Sequence, residues 1–62
     1  MTQSRIDRAI IAEMAGKDYY RAHPCSDRAT AEQMARNYYP TVLERECFIA
    51  GWQSVFASAQ CN

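Results

Sequence analysis

Apolar residues recur along this chain at helical spacing, and three segments carry the pattern. In the first, Ile6, Ile10 and Met14 fall at i, i+4 and i+8, and Ile11, Ala15 and Tyr19 form a second such row. Glu13, Lys17 and Asp18 interrupt the rows, so the apolar surface of this helix is broad and calls for two neighbours, or one neighbour and a second chain. Ser4 is a suitable N-cap with the acidic Asp7 three residues on, which sets a helix from about Arg5 to Tyr20. Gly16 lowers helix propensity by about 1 kcal/mol relative to alanine, and its expected use is the close approach of another backbone.

His23-Pro24-Cys25-Ser26 reads as a loop, because proline disfavours a helical residue before it. The second helix starts near Ser26 or Asp27, or as late as Thr30, where Thr30-Ala31-Glu32-Gln33 has the form of a capping box. Its apolar stripe is Ala31, Met34, Ala35 and Tyr38, with Glu32 and Arg36 spaced i, i+4 on the exposed side. Pro40 breaks the chain again, and Thr41-Val42-Leu43-Glu44 is a second capping box that opens the longest helix, about Val42 to Ala59. Phe48, Trp52, Val55 and Ala59 form a stripe of mostly large residues flanked by Ile49 and Phe56, while Leu43, Cys47, Ala50, Gly51, Ser54 and Ser58 make a mostly small face. Glu46, Gln53 and Gln60 form the polar seam at heptad spacing. A helix that is apolar on one side and small on another is packed from two directions. The expected fold is all-α: one compact domain over residues 1–62, three helices, the C-terminal one central.

A nine-residue pattern is written twice. Ala12-Glu13-Met14-Ala15-Gly16-Lys17-Asp18-Tyr19-Tyr20 returns nineteen positions later as Ala31-Glu32-Gln33-Met34-Ala35-Arg36-Asn37-Tyr38-Tyr39, identical at four positions. Each copy ends in a tyrosine pair close to a proline, so the repeat marks two similar helix ends. Tyr19 and Tyr38 fall on the apolar rows and are expected to close the core. Adjacent helical residues point about 100° apart, which turns Tyr20 and Tyr39 elsewhere and makes them candidates for an interface, where tyrosine is enriched.

Composition narrows the partners. Seven basic residues balance seven acidic ones, and no basic stripe of the kind that binds phosphate backbones is present; nucleic acid is not an expected partner except through a ribosome. The N-terminus leads straight into a charged helix and no apolar run is long enough to span a bilayer, so a cytoplasmic location without membrane contact is expected. So short a chain has a marginal core and normally needs a disulfide, a metal, a second chain or very efficient packing. The broad apolar surface of the first helix favours a homodimer.

Candidate chemistry is thin. His23, Cys25, Cys47 and Cys61 are the right inventory for a tetrahedral zinc site, but no C-x-x-C knuckle organises them. A Cys25–Cys47 disulfide needs an oxidising setting. His23 and Cys25, with Asp27 nearby, could serve as base and nucleophile only beside a pocket of roughly 300 Å³ or more. No phosphate loop, H-E-x-x-H or G-x-S-x-G occurs. The expectation is no catalytic activity, no cofactor and no metal, with His23 solvated in a turn.

Arg45, then the aromatic Phe48, then Gly51-Trp52, preceded by Ala15-Gly16-Lys17 and the loop Pro24-Cys25, resembles the ribosome modulation factor family and its small phage-encoded relatives. The resemblance implies two helices joined by a cysteine–proline loop, binding to ribosomal RNA and hibernation of translation. Here the loop order is Pro-Cys and the charge is balanced rather than strongly positive. Read from the residues themselves, Gly51 admits a neighbouring helix and Trp52 fills the large stripe. The function expected first is a small accessory or inhibitor protein, of the kind mobile elements such as phages encode, that covers a surface of a larger protein through Tyr20, Tyr39, Arg36, Glu46 and Gln53. A ribosome-associated modulator is the alternative.

Overall fold

In the computed structural model, which describes residues 5–60, the chain forms α1 (Arg5–Ala22), α2 (Arg28–Tyr38) and α3 (Val42–Gln60). The Ser4 cap and Cys61 lie outside the described residues. Asp7 in the first turn of α1 and Arg21 in its last turn match the helix dipole. The helix ends with the His23 N–H donating to the Tyr19 carbonyl at 2.9 Å.

The earlier of the alternative starts for α2 is the one used. Asp27, in an extended conformation, is the N-cap, and its Oδ1 accepts from the Thr30 N–H at 2.8 Å. Thr30 is thereby inside the helix and caps nothing. Asp27 reaches the helix donors sooner, and an aspartate at that position also meets the positive helix end. At the far end Tyr39 is extended, φ −123° and ψ 127°, as the residue before a proline prefers. α3 opens at Val42 as its sequence predicts, with half of the capping box: the Glu44 N–H donates to Thr41 Oγ1 at 3.3 Å, while the Glu44 carboxylate pairs with Arg8 at 3.8 Å.

α3 is central, and both other helices pack on it. Arg8 meets Glu44 near the start of both helices, and Tyr20 meets Trp52 and Phe56 toward their ends, so α1 and α3 run parallel. Ser26 lies against Trp52 and Tyr39 against Phe48, so α2 runs antiparallel to α3. The radius of gyration, 11.5 Å, is close to the ~10.6 Å expected of a compact domain of this length.

The buried core is Ala12, Tyr20, Ala31, Ala35, Phe48 and Trp52. Half of it is alanine, because the helices approach closely rather than interleave large side chains. Gly16 and Gly51 are the reason. A Cβ on Gly16 would collide with the Phe48 carbonyl oxygen and lie 2.9 Å from the Trp52 nitrogen; one on Gly51 would collide with the Glu13 carbonyl oxygen. Backbone therefore meets backbone where α1 crosses α3.

That crossing corrects the expected orientation of α1. Its inward row is Ala12, Gly16 and Tyr20, at i, i+4 and i+8, and the row Ile6, Ile10 and Met14 faces out at 72%, 50% and 58% exposure. Tyr20, expected outside, is buried at 8%. Its ring meets Trp52 edge-on at 5.7 Å and Phe56 at 6.1 Å, a favoured aromatic geometry. Tyr38, expected in the core, is 69% exposed. The repeat is thus a packing unit: Ala12 and Ala31, then Gly16 and Ala35, lie buried against α3, and the second tyrosine of each copy closes the row.

Candidate functional site

Between α2 and α3 lies an open groove of about 410 Å³ lined by Arg28, Glu32, Ala35, Arg36, Arg45, Glu46, Ile49, Ala50 and Gln53. Two sequence spacings build it. Arg28, Glu32 and Arg36 sit at i, i+4 and i+8 on α2, and Glu46, Ile49, Ala50 and Gln53 sit at i, i+3, i+4 and i+7 on α3, so each set shares one helix face. Ala35, Ile49 and Ala50 supply apolar wall; charged and amide groups supply the rest.

Three of the five expected contact residues, Arg36, Glu46 and Gln53, are brought together here. The two tyrosines are not in it. Tyr20 belongs to the core. Tyr39 is half-buried, not turned outward: its ring lies 5.6 Å from that of Phe48, and its carbonyl accepts from Arg45 Nε at 2.7 Å. Burial first, and the nearby Glu44 carboxylate second, raise the Tyr39 phenol above its ordinary value and hold it neutral.

The electrostatics of the groove follow from one ion pair. Glu32 pairs with Arg28, Nε to Oε1 at 3.2 Å, and not with Arg36 as the sequence spacing allowed. Arg36 is left with no ion-pair partner among the described residues. Arg45 is anchored by the Tyr39 carbonyl, which positions its guanidinium along the groove. As groove residues Arg28 and Arg45 escaped the sequence reading, which took Arg45 only as part of the resemblance. The i, i+4, i+8 run from Arg28 through Glu32 to Arg36 was the signal that could have found the first; Arg45 joins the groove only through the way α2 lies across α3, which no spacing reports.

The described groups weighed for catalysis or metal binding stand in the α1–α2 connection and on α3. His23 is exposed with its ring 5.0 Å from Tyr19, and its carbonyl accepts from both the N–H and the Oγ of Ser26, at 3.0 and 2.7 Å. Asp27 is committed to the α2 cap, and the Thr30 hydrogen bonds lower its carboxyl below the ordinary value. Cys25 is exposed and Cys47 half-buried, both as free thiols. Among the described residues no three His, Cys, Asp or Glu side chains cluster to hold a metal ion. None of the described helices is long and apolar enough to cross a membrane.

Gly16, Phe48, Gly51 and Trp52, which carry the resemblance noted in the sequence, all stand at the α1–α3 crossing. Compared with protein-family models, with curated proteins and with solved structures, the chain matches none.

Proposed function

We propose that this chain is a small cytoplasmic accessory or inhibitor protein, not an enzyme, that works by covering a surface of a larger protein. The observation that supports the reading is the α2–α3 groove, where Arg36, Glu46 and Gln53 border apolar wall from Ala35, Ile49 and Ala50. Apolar floor with a rim of guanidinium, carboxylate and amide groups is the usual anatomy of a protein-binding patch. Arginine is prominent among residues that dominate binding energy, and Arg36 is uncommitted within the fold. The acidic and basic groups together suit a partner surface of mixed charge rather than a phosphate backbone.

The test is affinity capture with the full tagged chain from cells that express it, beside a variant carrying Arg36→Ala, Glu46→Ala and Gln53→Ala. One stoichiometric protein, retained by the natural chain and lost by a variant of unchanged helicity, is the expected result. Equal capture by both chains would place the contact elsewhere. Capture of nothing by a well-folded chain would overturn the reading.

The alternative, a ribosome-associated modulator of translation, is supported by the resemblance at Arg45, Phe48 and Gly51-Trp52. It requires co-sedimentation with ribosomes that weakens as salt rises, and failure to co-sediment at low salt removes it.

A further inference from the structure

We infer that the outward face of α1 is the seam of a homodimer, in which the row Ile6, Ile10 and Met14 packs against the same row of a second copy. This rests on α1 and is independent of the α2–α3 groove. α3 takes the Ala12, Gly16 and Tyr20 side of α1 and α2 packs on α3, so among the described residues the Ile6, Ile10 and Met14 row is left exposed. Ile6, Ile10, Ile11 and Met14 are 72%, 50%, 48% and 58% exposed. Leu43, 48% exposed, shares a surface depression with Arg8, and Arg8 and Ile11 are neighbours on α1 at i, i+3. The α1 row is thus flanked by Ile11 and, beyond the Arg8–Glu44 ion pair, by Leu43 in the first turn of α3.

Area and stability both favour a second copy over an occasional partner. At these exposures the five side chains offer on the order of 100 Å² each. Together that is on the order of 500 Å² per copy, or about 1,000 Å² over two copies, the size at which specific interfaces begin. Among the described residues, the fully buried core that this patch would supplement holds three large side chains, Tyr20, Phe48 and Trp52, with others such as Tyr19 and Phe56 half-buried at its edge. Cys25 and Cys47 are free thiols and staple nothing. A chain of this size needs a constant supplement to its core, and only another copy of itself is present wherever it is made. Zero formal net charge removes the repulsion that would oppose self-association.

The row is also self-complementary. Residues at i, i+4 and i+8 form a ridge, and two such ridges interdigitate when helices cross. With the two α1 helices antiparallel about a twofold axis, Ile10 meets Ile10 of the second copy and Ile6 meets its Met14, an isologous contact.

Sedimentation equilibrium of the full chain over a concentration series tests this. The natural chain should dimerise, and Ile10→Glu and Ile10→Lys should each weaken the dimer on the order of 100-fold, tenfold per copy. Mixing the two variants should restore a heterodimer, because position 10 faces itself across the axis. If the variants are unfolded alone, recovery of helicity on mixing supports the seam equally. A natural chain that stays monomeric at high concentration, a dimer unaffected by Ile10→Glu, or variants that do not pair on mixing would each overturn it.

Discussion

Gly16 of α1 and Phe48 of α3 meet backbone to backbone: the space a β-carbon would take at Gly16 is filled by the Phe48 carbonyl oxygen. Gly51 repeats the arrangement against Glu13. Neither obstacle is a side chain that could swing away. Gly16→Ala and Gly51→Ala each gain about 1 kcal/mol of helix propensity, yet each must force the helices apart. The expected net loss is roughly 1–3 kcal/mol, seen as a lower melting temperature by circular dichroism. A melting temperature equal to or above that of the natural chain would show that the crossing can open without cost.

The tyrosines of the repeat separate by energy as they do by position. Tyr20→Ala removes a ring packed edge-on against the stacked rings of Trp52 and Phe56 and should cost about 3–5 kcal/mol, the range for large aromatic truncations. Tyr38→Ala alters a side chain 69% exposed and should stay within about 0.5 kcal/mol. Urea unfolding of the two variants checks the order, and a Tyr38 variant that loses more than the Tyr20 variant would contradict the packing described.

The Trp52 indole is 2% exposed, and its N–H donates to Ser26 Oγ at 3.4 Å. Ser26→Ala leaves that donor buried without its acceptor, at an expected cost of about 1–2 kcal/mol. Ser26→Thr keeps the hydroxyl and should recover most of it. Trp52 is the sole tryptophan, so its fluorescence reports both unfolding midpoints directly; equal midpoints for Ser26→Ala and the natural chain would mean the bond contributes nothing.

Acid and alkali should act through different groups. Asp27 has its carboxyl lowered by Thr30, so it binds its proton less readily folded than unfolded. Its contribution is present above the ordinary aspartate value and is lost as pH falls through the lowered one. Asp27→Asn keeps a capping oxygen without titrating, and its melting temperature should fall less steeply in acid. Tyr39 is shifted the other way. Its contribution is present below the ordinary tyrosine value of 10.0 and is lost as pH rises through the raised one. Tyr39→Phe should flatten that alkaline limb, and an alkaline limb as steep as the natural chain's would contradict the shift.

Much of the architecture is local and so was legible in the residues. Pro24 and Pro40 mark the reversals, Thr41 and Glu44 mark the start of α3, and the apolar spacing marks three helices, because each signal acts within a turn or two of its own position. Of the groove, Arg36, Glu46 and Gln53 were legible as polar positions beside the apolar stripes of their helices; their meeting was not, since it depends on how α2 lies across α3. The rotation of α1 was not legible either. Judged by the apolar rows, Ile6, Ile10 and Met14 belong inside and Tyr20, which falls off both rows, outside. The fold reverses both, because the energy of the α1–α3 pair depends on how closely two backbones approach, and only the face bearing Ala12 and Gly16 admits Gly51 and Phe48. Hydrophobic periodicity is a property of one helix and could establish that α1 is apolar on more than one side. Which side turns inward is a property of two helices together, and the tertiary structure alone decided it.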